Sequence, residues 1–179
     1  KMSQDEWVAL IEAKYAAGDI ELPIQMSDVT GQAELSPAQV YGKILERQFR
    51  RAFPTASFTG GLKRALQDGG ARGLRQPDVL GRFLDDHEGF ELLNTPVDDF
   101  LENRLHPDFQ SLAEDESFRL ELKAVQRVFK LTPTFQATDA LLADGLHSAQ
   151  KIYRLGESEF VRRYADRPGF TEISARLAW

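Results

Sequence analysis

The stretch from Leu122 to Tyr164, LKAVQRVFKLTPTFQATDALLADGLHSAQKIYRLGESEFVRRY, constrains the fold more than any other part of the chain. Its apolar residues recur every three or four positions, the spacing that lines one face of an α-helix. Thr132-Pro133, Gly145 and Gly156 cut it into consecutive helical patterns that must turn back on one another. No segment of the chain alternates apolar and polar residues as a half-buried strand would. The expected fold class is all-α, an irregular multi-helix bundle of about eight to ten short helices.

A chain of 179 residues can bury a sizeable core, and twelve Phe supply large apolar anchors for it. We expect a single helical domain over 1–179, with a long connection at 19–35 and a central helical hairpin segment at 122–164. A formal net charge of −6 disfavours nucleic acid and anionic lipid as partners, short of a local basic patch. With no Cys, disulfides and thiolate metal sites are excluded. No apolar run approaches the roughly 18 residues that span a bilayer. Lys1 stands before Met2, and ISARLAW stops inside a helical pattern, so we expect a segment of a longer polypeptide.

In chain order, Ser3 and Glu6 form a capping box before an apolar face of Trp7, Leu10 and Ile11, and Gly18 stops that helix. Ser36-Pro37 restarts a helix with the stripe Val40, Tyr41, Ile44, Leu45, Phe49, Ala52 and Phe53, ended by Pro54. A short helix should reach Gln67 with Leu62, Ala65 and Leu66 inward, and Asp68 to Gly73 reads as the most flexible stretch. Gln76-Pro77 and Thr95-Pro96 start two more helices, with Gly89 the stop of the first and Pro107 breaking the second. A long helix from about Asp115 to Lys130 places Phe118, Leu122, Val125 and Phe129 on one face. Thr132, Ser148, Ser158 and Thr171 read as caps of the last four helices.

Few constellations suggest chemistry. Asp85-Asp86-His87-Glu88 concentrates acid and imidazole, but neighbouring helix residues point in different directions and do not converge on a metal. We expect a solvated face there, and surface or cap roles for His106 and His147. Gly60-Gly61-Leu62-Lys63-Arg64 with Arg72 and Arg75 is basic and glycine-rich, without the order of a phosphate-binding loop. Leu141 to Gly156 is similar to a helix-hairpin-helix, with His147 where nucleic-acid-binding versions carry a second glycine. Candidate interaction residues are therefore Arg47, Arg50 and Arg51 on one helix, and His147, Lys151 and Arg154 in the hairpin. No catalytic, cofactor-binding or metal-ligating residue is nominated, and no cofactor is expected.

Two stretches carry a family resemblance. One is Tyr41-Gly-Lys-Ile-Leu-Glu-Arg-Gln-Phe-Arg-Arg-Ala-Phe53-Pro54-Thr55. The other is Val125-Gln-Arg-Val-Phe-Lys-Leu-Thr-Pro133 with Leu141-Leu142-Ala-Asp-Gly145-Leu146-His147-Ser148-Ala149 and Phe160-Val161. Phe83-Leu84 and Phe90-Glu-Leu92 fall between them in the expected order. From about Tyr41 onward the chain resembles the helical region of the A subunits of bacterial toxin complexes (Tc toxins), related to the Salmonella virulence plasmid protein A family.

That resemblance implies a secreted or cell-surface protein in its full-length form. Subunits of this kind are large and pentameric, bind host cells and form a channel through which partner subunits deliver a toxic enzyme. It implies a helical shell module without catalytic activity, whose partners are the remainder of its own polypeptide and other toxin-complex subunits. The alternative from the residues themselves is a nucleic-acid-binding helix-hairpin-helix module.

Overall fold

The computed structural model describes residues 4–22 and 36–178, apart from the side chains of 4–7 and 172–174. The Ser3–Glu6 capping box, the Trp7 side chain and most of the 19–35 connection lie outside the described residues. Among the described residues there are eleven α-helices and no strand, so the fold is all-α. They fall into two compact units, Lys1–Phe53 and Pro54–Trp179.

The first unit pairs α1 (Gln4–Ala16) with α2 (Pro37–Ala52). Gly18, at φ 74, follows the end of α1, as its position in the sequence suggested. Ile11 is 3% exposed, whereas Leu10 is 40% exposed, so the apolar face of α1 is narrower than its pattern implies. Gly42 lets α2 approach α1, since a Cβ there would lie 2.7 Å from Val8 Cγ2. Ser36 caps α2 in a reciprocal box with Gln39, because the Ser36 side chain accepts from the Gln39 amide and the Gln39 side chain accepts from Ser36 N–H. The stripe on α2 is buried at Val40 and exposed at its end, where the Phe53 and Phe49 rings meet at a tilt with centroids 5.1 Å apart.

The second unit holds α3 (Pro54–Gln67), α4 (Pro77–Asp86), α5 (Val97–Asn103), a 3-10 turn (Pro107–Phe109), α6 (Ser111–Glu114), α7 (Glu116–Phe129), α8 (Phe135–Ala143), α9 (Ala149–Leu155), α10 (Glu157–Tyr164) and α11 (Glu172–Ala178). The long helix is α7, and its four spaced residues Phe118, Leu122, Val125 and Phe129 are all fully buried. Asp115 caps it by accepting from Phe118 N–H at 3.0 Å. Phe58 of α3 meets Phe129 and Phe135 edge-on at 5.3 and 5.4 Å, which joins α3, α7 and α8. Phe83 of α4 gathers Phe90, Phe100 and Phe118 in the same edge-to-face manner. A third ring cluster, Phe160, Tyr164 and Phe170, belongs to the end of the unit.

Several boundaries differ from expectation. α3 is a full 14 residues, and Gly60-Gly61 sits inside it rather than in a loop. Gly61 is there because a Cβ would stand 2.7 Å from Phe135 Cβ, so the glycine sets the spacing of α3 and α8. Thr134, two residues past Thr132, caps α8 and accepts from Ala137 N–H. Thr132 is buried instead, its hydroxyl donating back to Val128 O and its carbonyl accepting from Thr138 Oγ1. Gly156 at φ 83, not Ser158, stands before α10. α4 ends at Asp86 with His87 as its cap, two residues before Gly89. Gly145 at φ 75 does terminate α8, in the left-handed conformation that side chains resist.

Candidate functional site

The candidate residues divide between the units. Arg47, Arg50 and Arg51 lie on α2, the last two in its final turn, where cations favour the helix dipole. His147, Lys151 and Arg154 lie in the α8–α9 hairpin, with Ser148 capping α9. Lys151 turns back on the hairpin and donates from Nζ to Gly145 O at 3.0 Å, satisfying a carbonyl at the end of α8. Arg154 is exposed in the last turn of α9. Asp144 is engaged as well, accepting from Tyr164 OH at 2.7 Å and from Arg167 Nη1 at 2.8 Å.

In the acidic run at 85–88, Asp86 and Glu88 are exposed as expected and Asp85 is half-buried, but His87 departs from that solvated face. His87 is buried at 6% exposure, its ring stacked on Phe83 and edge-on to Phe100 and Phe109. His87 Nδ1 lies 2.8 Å from Phe83 O, and Nε2 lies 2.9 Å from the His106 amide nitrogen. Both bonds form at once when Nδ1 carries the hydrogen and Nε2 accepts. The imidazole therefore ties α4 to the segment before the 3-10 turn. His106 is exposed and caps that turn through Nδ1.

His147, by contrast, reaches a cavity. A cleft of about 240 Å³ opens over the outer face of α7 and is bounded by Gly73, Arg75, Leu142 and His147. Its floor is Ser117, Leu120, Glu121, Ala124 and Arg127, spaced along one side of the helix. The 73–76 segment is fixed over this face by three bonds. Gly73 N–H donates to Asp139 Oδ1 at 2.8 Å, and the Arg75 and Gln76 amides donate to the Glu121 carboxylate. Glu121 thereby serves the open N-terminus of α4, whose own cap residue Gln76 makes no side-chain cap bond. From that floor Arg127 Nε donates to His147 O at 3.3 Å.

Electrostatics in the cleft are uneven. Burial pushes the Glu121 carboxyl above its usual range, against the bonds from Arg75 and Gln76 that lower it. Burial also pushes the His147 imidazole down, and the positive charges of Lys151, Arg75 and Arg127 push it further the same way. Two guanidinium groups and a neutral-leaning imidazole thus surround a floor part apolar and part carboxylate. Among the described residues no hydrogen bond joins Ser117 to His147, and no three His, Asp or Glu lie together as metal ligands do.

Arg75 was visible in the sequence only as part of the basic, glycine-rich segment, and neither Arg127 nor Glu121 carried a functional signal. Comparison with protein-family models, curated proteins and solved structures finds no match for this chain.

Proposed function

We propose that this chain is a helical shell module of a large toxin-complex A-type subunit, serving cell binding and toxin translocation through the assembly it helps build. The observation that carries the reading is where the resembling residues sit. Val125, Val128, Phe129, Leu141, Leu142 and Phe160 are all 5% exposed or less and belong to one continuous core. The apolar residues of the second resembling stretch therefore serve packing and hold helices in register, whereas the first stretch is exposed toward its end at Phe53. A scaffold requires no more of a sequence than that.

A second feature agrees with it. Tyr153 is 67% exposed and Leu177 83%, large apolar side chains of the second unit that an assembled neighbour would cover. In the full-length protein that neighbour is the rest of the polypeptide or another subunit of a pentamer, at the bacterial surface or in the medium. Among the described residues no helix is long and apolar enough to cross a membrane.

The test is the native polypeptide. An antibody raised against this chain is used to blot the cells and medium of the source organism. A band far larger than 179 residues account for, present in the medium or at the cell surface, is the expected result. A band matching the chain itself, retained inside the cells, removes the reading.

A further inference from the structure

We infer that the cleft over α7 is a binding site for a small organic oxyanion, a carboxylate or phosphate head on a compact apolar body. The inference is independent of the shell-module reading, since it rests on the cleft alone.

Three observations support it. First, the cleft collects cations in a chain whose net charge is −6, with both Arg75 and Arg127 lining it. A guanidinium offers planar paired donors that match either head group. Arg127 uses only Nε on the protein, toward His147 O, which leaves its terminal nitrogens directed elsewhere. Second, Leu120, Ala124 and Leu142 line the same space, so an apolar body gains by burial while the head pairs with the arginines. Leu120 is 55% exposed without a ligand, and a ligand seated on it would remove that apolar surface from water. Third, the walls are held in place. Glu121 and Asp139 fix the 73–76 segment through backbone amides, so binding need not order a loop.

Glu121 opposes an anion, and its presence sharpens the test. Its carboxylate is spent on the Arg75 and Gln76 amides, an arrangement that glutamine reproduces in part with one oxygen and no charge. His147 supplies the readout. Lys151, Arg75 and Arg127 are the charged groups acting on its imidazole, and all three hold it toward the neutral form. An anion in the cleft offsets them, so the imidazole titration moves upward when the site fills, and binding of a carboxylate that stays ionised strengthens as pH falls.

The experiment is a titration of the whole chain with phenyl phosphate, benzoate and inorganic phosphate, followed by the imidazole carbon–proton NMR signals. The chain has three histidines, and His147→Gln assigns the relevant signal. The expected result is a saturable shift of the His147 signal alone, with its midpoint raised by the aryl probes. Arg127→Gln and Arg75→Gln should each weaken binding about five- to tenfold, and Glu121→Gln should strengthen it by a similar factor. Added salt should weaken all of it. Whichever aryl probe binds tighter identifies the head group. Three results overturn the inference: no saturable shift at millimolar aryl probe, equal shifts at His106 and His147, or inorganic phosphate binding as tightly as phenyl phosphate. Arg127 and Arg75 are exposed, so the glutamine variants keep the fold, which far-UV circular dichroism verifies.

Discussion

Gly73→Ala and Gly70→Ala change the same residue type three positions apart, in a segment whose composition reads as uniformly flexible. The structure separates them. At Gly70 an added Cβ meets only Ala65 O at 3.8 Å, an ordinary contact, and the backbone is outside the left-handed region. At Gly73 the Cβ would overlap the Asp139 carbonyl oxygen and lie 2.8 Å from Ala143 N and 2.9 Å from Leu142 Cβ. Two of those neighbours are backbone of α8, which no rotamer change can move. Relief requires lifting residues 73–76 off α8. That strains or breaks the 2.8 Å bond from Gly73 N–H to Asp139 and unseats Leu74, which is 8% exposed. Overpacking of this kind costs about 1–3 kcal/mol, and loss of a bond to a charged acceptor about 1.5–3 more. Part of the second is incurred in relieving the first, so the expected cost is about 2–4 kcal/mol. Gly70→Ala should be neutral or stabilise by up to about 1 kcal/mol, through a less flexible unfolded chain. Urea unfolding followed by far-UV circular dichroism measures both. Equal effects, within about 0.5 kcal/mol, would mean that the segment does not dock on α8 as described.

Phe129→Ala removes a fully buried ring that meets Phe58 edge-on, and should cost about 3–5 kcal/mol by the same unfolding measurement. Tyr164→Phe should cost about 1 kcal/mol, because Arg167 still pairs with Asp144, whereas Asp144→Ala should cost more by stranding the Tyr164 hydroxyl. Glu121 gives a pH dependence of definite sign. Its folded-state value is raised, so the folded chain holds this proton more tightly than the unfolded one. The penalty is absent below the unfolded value, grows as pH rises through the acid range, and is complete above the raised value. The stability of Glu121→Gln relative to the parent should therefore rise with pH across that window. A flat or falling difference refutes it.

What could be read in advance was whatever depends on local spacing. The buried face of α7, the Ser36 cap, the Pro54 boundary and the left-handed Gly145 each follow from a few neighbouring residues, and each is in the structure. Glycines proved harder. Gly61 and Gly73 look like punctuation, but their reason is a partner 66 or more residues away along the chain, Phe135 for one and Asp139 for the other. Helix propensity says nothing about such a contact. His87 follows the helical period of α4 and not the polarity of its acidic neighbours. It stands four residues after Phe83 and seven after Leu80, on the buried side of α4. The cleft was legible only in part. Ser117, Leu120, Ala124 and Arg127 share a face of α7 by spacing, but no local signal says that residues 73–75 and His147 lie over it.

The central claim, a shell module of a toxin-complex A-type assembly, is tested most directly by electron cryomicroscopy of the native particle. The full-length protein is purified from its source and imaged with an antibody fragment raised against this chain. The account predicts a pentameric particle with five fragments around its outer shell, and density there that accommodates each of the two compact units. A particle without five-fold symmetry, or antibody density on a free small protein, would contradict it.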